Sequence, residues 1–371
     1  MEKEGRLEER DWLYSLYKIT GVGRKSIRTI LERWETIASF VDDCRADHKL
    51  SMPIEGVLRQ YISVQMTAEQ VRRDKRERAA NNIPFISILD QQYPQLLRHI
   101  ADPPLILFYR GKLSWLQKPI LAVVGSRKPT PYGKAACAEI TKQLVDAGMV
   151  IASGVAYGID AEAHRTSLRL QAGTIGVLGC GIDQVYPPLH RPLYREIEDS
   201  GLLLSEYLPG TPPLPGYFPE RNRIISGLAL GVVIIEAAVK SGSLVTAQLA
   251  LEQGREVFAV PGPIFSELSA GPHNLIKDGA KLVTGWEDIH AELTHLMPKA
   301  KEKTVAKESP SLLTSEAASL LERITYAPIH WDEIYETLDP DLRRTIDQEL
   351  LHLEAKGYIA GLPGGFFTRR M

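Results

Sequence analysis

At 371 residues, 44% hydrophobic and 24% charged, the chain has an ordinary globular composition, with apolar material for more than one core and so for two or three domains. Its 44 basic and 46 acidic side chains leave a formal net charge of −2, which excludes a protein coated in positive potential: any nucleic-acid binding has to come from a local patch. Cys44, Cys137 and Cys180 form no CxxC pair and have no histidines at zinc-ligand spacing, and no apolar run reaches the roughly 18–20 residues of a membrane span, so a cytoplasmic protein with reduced thiols, no metal and no membrane contact is expected.

Residues 6 to about 75 carry helical periodicity, with Trp12, Leu13, Leu16, Tyr17, Ile27, Ile30, Leu31 and Trp34 recurring at three- and four-residue steps. Within them YSLYKI, the turn TGVG and RKSIRTILERW suit a helix-hairpin-helix. Its amides, with Arg24, Lys25 and Arg28 nearby, suit a grip on a sugar-phosphate backbone or are an ordinary helix-turn with solvated cations. From Ile120 strands alternate with helices: ILAVV, helix 132–147, MVIAS, helix 158–171, TIGVLG, LLLSEY, GVVIIEA, helix 244–253, EVFAVPG and AKLVT. That alternation predicts an α/β fold with a doubly wound, mostly parallel sheet and ligands at the carboxyl ends of its strands. Residues 297–311, MPKAKEKTVAKESPS, lack an apolar face and read as a linker. Beyond them three amphipathic helices and a hairpin with a Gly-Gly turn resemble a winged helix. Its candidate recognition helix, 343–356, mixes Asp347, Glu349 and Glu354 with Arg343, Arg344 and Lys356, which is poor chemistry for a DNA groove and leaves protein docking or regulation open. The expected division is 1–75, 76–296, linker 297–311 and 312–371.

The loops at the strand ends carry the chemistry. Gly125-Ser126-Arg127 follows ILAVV and opens a helix, as a phosphate contact or a tight turn with a solvated arginine. Ser153 and Gly154 begin the next loop, where Asp160 is expected to cap a helix and His164, one turn on, reads as a surface or capping residue more readily than as half of an acid/base pair. The third loop offers Tyr186, His190, Arg191 and Tyr194 among prolines, with aromatic faces for bases. The stretch 218–247 joins Phe218, an arginine loop of Arg221, Asn222 and Arg223, a buried apolar strand and Ser241-Gly242-Ser243 at a helix start. It supplies cationic forks and exposed amides for phosphate, with Tyr217 and Phe218 as flat faces. Asn222 is open to a second role, holding the arginine loop, and Phe218 to one in the core. Gly21-Val22-Gly23-Arg24-Lys25-Ser26 lacks Walker A spacing and the glycines at 125 do not form GxGxxG, so no cofactor is expected.

Six motifs in order, GSR at 125, SGVAYGIDAEAHR at 153, GTIGVLGCGIDQVYPP at 173, SEYLPG at 205, FPERNRIISGLA at 218 and EAAVKSGSLVTAQLALEQGREVFAVPG at 236, resemble the DNA-processing protein A family (DprA/Smf). The resemblance implies an extended Rossmann-like domain flanked by an N-terminal SAM- or helix-hairpin-helix-like domain and a winged helix. It further implies a homodimer that binds and protects single-stranded DNA without catalysis and loads the RecA recombinase during natural transformation. An alternative from the enzyme class is a phosphoribohydrolase-like activity using Glu236, although the PGGxGTxxE run of such enzymes is replaced here by EAAVKSGSLVTA.

Overall fold

The computed structural model describes residues 7–46, 56–296 and 315–369; the linker expected at 297–311 lies outside them. The helical periodicity of the first region forms α1 (Glu9–Tyr17), α2 (Arg24–Arg33), α3 (Ile37–Arg45), α4 (Gly56–Gln65) and α5 (Ala68–Ala80). Thr36 and Thr67 start α3 and α5, their hydroxyls accepting the backbone N–H groups of Ser39 and Gln70 that a helix start leaves unpaired. The buried faces of these helices, Leu13, Leu16, Ile27, Ile30 and Phe40 among them, share one core with Phe85, Phe108 and Val155 of the region that follows.

That region holds β1 (Phe85–Ser87), α6 (Gln95–Arg98), β2 (Ile106–Gly111), β3 (Ile120–Val124), α7 (Pro131–Asp146), β4 (Val150–Ser153), α8 (Ile159–Arg169), β5 (Thr174–Leu178), α9 (Arg191–Ser200) and β6 (Leu202–Ser205). It continues through α10 (Tyr217–Leu228), β7 (Gly231–Ile234), α11 (Gly242–Glu252), β8 (Glu256–Ala259), α12 (Ala270–Lys277), β9 (Lys281–Leu282) and α13 (Trp286–Leu293). The strands lie in the order β1-β2-β6-β5-β4-β3-β7-β8-β9. All neighbours from β6 to β9 are parallel, and β2 and β1 add antiparallel strands at one edge. The expected α/β class and mostly parallel sheet are thus present, with β1 and β2 as additions the sequence did not reveal.

The apolar strands are buried on both faces, which is why they read as continuous runs. Alternate residues of β3 feed opposite cores: Ile120, Ala122 and Val124 join one cluster, Leu121 and Val123 the other. From β3 the chain winds outward to β6, then returns through α10 to β7 on the other side of β3 and winds away to β9. The direction of winding reverses between β3 and β7, so the crevice beyond their carboxyl ends is where an open sheet of this type takes a ligand.

The last region consists of α14 (Ser315–Arg323), β10 (Ile329–His330), α15 (Trp331–Glu336), α16 (Pro340–Ala355), β11 (Ile359–Leu362) and β12 (Phe366–Arg369). Leu320, Ile334, Leu350, Leu353 and Ile359 form its core. β11 and β12 pair antiparallel around Gly364 and Gly365, whose φ angles of 87° and 78° are ones glycine adopts freely. Cys44, Cys137 and Cys180 are buried free thiols. Among the described residues no helix is long and apolar enough to cross a membrane.

Candidate functional site

A cleft of about 410 Å³ opens at the reversal point. The loop after β3 contributes Gly125 and Arg127, the start of α11 contributes Ser241, Gly242 and Ser243, and the flank is built by α10 with Phe218, Arg221 and Asn222. Eight of the twelve residues read from the sequence as a site therefore converge. Ser241 is the N-cap of α11, its hydroxyl accepting the Ser243 amide, so the helix begins at Gly242 rather than at the expected residue 244. Its first-turn N–H groups and the positive end of its dipole face the cleft. Arg127 is exposed, has no carboxylate partner among the described residues, and lies 5.9 Å from the centroid of the Phe218 ring. Tyr186 joins from the third loop with its ring centroid 5.1 Å from that of Phe218, giving the cleft an aromatic wall. Of the other residues of that loop, Tyr194 and His190 are buried, Tyr194 donating its hydroxyl to the Tyr186 carbonyl.

The arginine segment is helical, which corrects the loop expected from sequence and separates its two arginines. On a helix, residues two apart point about 200° from each other, so Arg221 and Arg223 leave α10 on different faces. Arg223 is withdrawn from the cleft. It is buried, and its guanidinium donates to Glu206 at 2.6 Å and to Asp102 at 3.2 Å. The expectation that it lines the site is corrected on that ground. Arg221 stays at the cleft but is only 4% exposed, its Nη1 donating to the carbonyls of Gly154 (2.9 Å) and Val177. Its Nη2 donates to no described residue. Asn222 accepts from Arg221 Nε at 3.2 Å and donates to the Gly242 carbonyl at 3.4 Å, tying α10 to α11. Tyr217 turns away to stack on Tyr207 at 4.2 Å.

Three further residues expected in the site lie beneath it. Ser153 donates its hydroxyl to the Val123 carbonyl, binding β4 to β3, and Ser126 accepts the Lys128 amide within its own turn. Gly154 is the floor: a Cβ there would lie 2.6 Å from Arg221 Nη2 and 2.7 Å from Asp160 Oδ2. Asp160 does not cap α8 as expected. The N-cap is Gly158, and the Asp160 carboxylate instead accepts the amides of Gly154 and Ala156 across the loop. Burial holds its carboxyl above the usual range, with the Arg221 charge and these amides pulling the other way. Val155, between them, adopts a φ of 55°, a strained left-handed conformation for a β-branched residue that core packing holds in place.

Glu236 does not reach the cleft. Its carboxylate accepts the Thr130 amide at 2.9 Å and the Thr130 hydroxyl at 2.6 Å, and its carbonyl accepts the Ser126 amide. Both oxygens thus serve the start of α7 and brace the turn that presents Arg127.

His164 is also no surface residue. It is fully buried; the Thr174 hydroxyl already donates to the Ile151 carbonyl, so His164 Nδ1 donates to the Thr174 hydroxyl oxygen at 2.7 Å, and Nε2 has no partner among the described residues. Desolvation, with the nearby charges of His190, Arg221 and Arg165, pushes its pKa down to about 3. Between the ordinary value of 6.5 and about 3 the unfolded chain binds a proton that the folded one refuses. This stability is complete above 6.5 and lost as pH falls through that window, at up to about 1.4 kcal/mol per pH unit. Asp160 and Glu206, whose pKa values are raised by burial, act in the opposite sense. Chemical denaturation of His164→Asn beside the wild type from pH 7 to 4 is therefore expected to show a shallower loss in the variant; parallel curves would remove His164 from the linkage.

Residues 84–294 match the family of the DNA recombination-mediator protein A, and those residues make up more than half of the chain. The chain belongs to this family. Among curated proteins it is similar to the DNA processing protein DprA of Bacillus subtilis, 46% identical over 219 residues, covering 59% of this chain and 73% of that protein. It is also similar to protein Smf of Escherichia coli, 42% identical over 282 residues and covering 75% of each. The X-ray structure of DprA from Streptococcus pneumoniae superposes with a TM-score of 0.67 at 36% identity, covering 78% of this chain and 99% of that one. A structure of DNA processing protein A from Helicobacter pylori, which addresses that protein's single-stranded-DNA binding mode, gives a TM-score of 0.52 at 31% identity, covering 58% and 97%.

The cleft has a neighbour. A groove of about 640 Å³ begins at Arg127 and runs past Lys128, Lys134 and Arg165, with exposed Tyr157 in its wall. Tyr157 packs edge-on against His190 at 4.8 Å. Among the described residues Lys128, Lys134 and Arg165 make no ion pair. The net charge of the chain hides this patch because it sums over the whole molecule, including cations paired with carboxylates elsewhere such as Arg24, Arg223 and Lys75.

Proposed function

We propose that the cleft holds single-stranded DNA, with Arg127, the free Nη2 of Arg221 and the first amides of α11 on phosphate and the Phe218–Tyr186 wall against a base. The observation that carries this reading is one place where an arginine without a carboxylate partner among the described residues and a helix N-terminus meet an aromatic pair, exposed Tyr186 and half-buried Phe218. Charge neutralisation with stacking is the general recipe for sequence-tolerant binding of single strands, whereas a duplex hides its base faces. The strand would continue over Arg127 into the basic groove. The Helicobacter relative's single-stranded-DNA binding mode supports the reading. We further propose that the protein works in the cytoplasm without catalysis or cofactor, as a homodimer that passes the strand to RecA during natural transformation or general recombination. Leu251, Ile264, Phe265 and Leu282 are exposed apolar side chains and are the candidates for contact with a second copy. Residues 1–75, 76–296, 297–311 and 312–371 are read as a SAM- or helix-hairpin-helix-like domain, the sheet domain, a linker and a winged helix. Hydrolysis by Glu236 is not favoured, since its carboxylate is committed to Thr130.

Fluorescence anisotropy with labelled oligo-dT and a matched duplex over a salt series tests the proposal. The expected result is salt-sensitive binding that favours the single strand; equal affinity for the duplex, or no binding, would overturn it.

A further inference from the structure

The face of α10 opposite the cleft ends in a charge network that reaches the N-terminal helices. Arg24, the first residue of α2, donates to Glu206 at 2.9 Å, to Asp102 at 2.9 Å and to Glu220 at 2.5 Å. Glu206 is only 1% exposed and is shared with Arg223, so two guanidinium groups hold three carboxylates together. Glu220 also accepts the Tyr207 hydroxyl at 3.0 Å, and Tyr17 of α1 donates its hydroxyl to the Glu206 carbonyl at 2.9 Å.

α10 therefore carries two stripes. Phe218, Arg221, Asn222 and Ile225, at steps of three and four, face the cleft, while Glu220 and Arg223 face the network. The helix has no side-chain N-cap, so its first turn, which bears Phe218, lacks the local restraint that holds α11 or α5. Glu220 lies in that turn, and Arg24 and Tyr207 are its partners. We infer that Arg24 is a positioning residue for the strand site: by clamping Glu220 and Glu206 it fixes the first turn of α10, and with it Phe218 and Arg221, at the cleft. Arg24 does not line the cleft itself, and its guanidinium is spent on carboxylates rather than held out for a phosphate. For Arg24 this replaces the solvated cation open from sequence with one paired to carboxylates. The helical region thereby sets the shape of a cleft that none of its described residues lines.

The inference rests on the cleft being the strand site, and the experiment separates the two. Arg24→Ala and the milder Glu220→Gln, which keeps the side-chain shape, are compared with the wild type by hydrogen exchange of the 217–228 segment and by oligo-dT anisotropy over a salt series. Both variants are expected to exchange faster in that segment while β7 stays protected. Both are also expected to bind oligo-dT more weakly, by about tenfold for Arg24→Ala, the scale of a change within a coupled network, with the slope of log affinity against log salt unchanged. A slope that falls by about 0.7 in Arg24→Ala would make Arg24 a direct phosphate contact and overturn the inference. Unchanged exchange in α10 would overturn it too. If the wild type fails to bind oligo-dT the strand reading falls, while the exchange comparison still decides whether Arg24 fixes α10. Should Arg24→Ala fail to fold, the same readouts on Glu220→Gln decide it.

Discussion

Arg221→Ala is expected to lower the stability of the fold by about 3–5 kcal/mol, the range found when one partner of a buried charged group is removed. The side chain is 4% exposed and sits between the ends of β4 and β5, donating to the Gly154 and Val177 carbonyls. Across Gly154 lies Asp160, whose buried carboxyl counts the Arg221 charge as the largest influence holding its pKa down against desolvation. Alanine leaves two buried carbonyls unpaired, opens a cavity under the cleft and removes the counter-charge of Asp160. Arg221→Lys restores the charge but not the fork that spans two strand ends, so it should recover only part of the loss. Denaturant unfolding measures this directly; an unchanged midpoint and slope would show that the guanidinium is held out for a ligand alone. Because the substitution changes the fold, a DNA-binding deficit in Arg221→Ala would not by itself place the arginine on a phosphate.

How much of this was legible in the sequence differed by element. β3, β4, β5 and β7 could be read because burial on both faces demands unbroken apolar runs, and the loops at their ends were found by following the strands. α7 and α8 were readable to within two residues, since Pro131 opens the one and Gly158 the other. β1 and β2 were not, because β1 spans only three residues and β2 joins the sheet antiparallel, outside the strand-helix alternation that marks the others. The larger miss was α10. Phe218-Pro219-Glu220-Arg221 opens with a proline and shows no apolar repeat until Ile224, so it resembles a loop; yet proline is tolerated in a first helical turn. Taking the segment as a loop made Arg221 and Arg223 look equivalent, and only the helical period divides them between cleft and network. His164 was misplaced for a related reason: nothing in AEAHR marks which face of α8 meets β5, and the Thr174 hydroxyl that makes burial tolerable lies on another element.

The substitution that isolates the ligand contact is Arg127→Ala. Arg127 is exposed, follows a turn braced by Glu236 and Thr130, and has no carboxylate partner among the described residues. Its removal leaves nothing buried and unpaired, so stability should stay within about 0.5 kcal/mol of the wild type. Binding should not. A charge-assisted hydrogen bond contributes about 1.5–3 kcal/mol, which predicts oligo-dT affinity weaker by roughly ten- to a hundredfold at low salt. The loss should shrink as salt rises, because one phosphate contact fewer lowers the slope of log affinity against log salt by about 0.7. Arg127→Lys separates the two parts of the side chain's role: it keeps the charge, and so the slope, but gives up the fork and the planar face above Phe218. Lower affinity at full slope in the lysine variant, beside lower affinity and lower slope in the alanine variant, would place a phosphate at Arg127 and a base against Phe218. An alanine variant with the wild-type slope would take Arg127 off the strand and move the path toward Lys128, Lys134 and Arg165, where the same slope measurement applies.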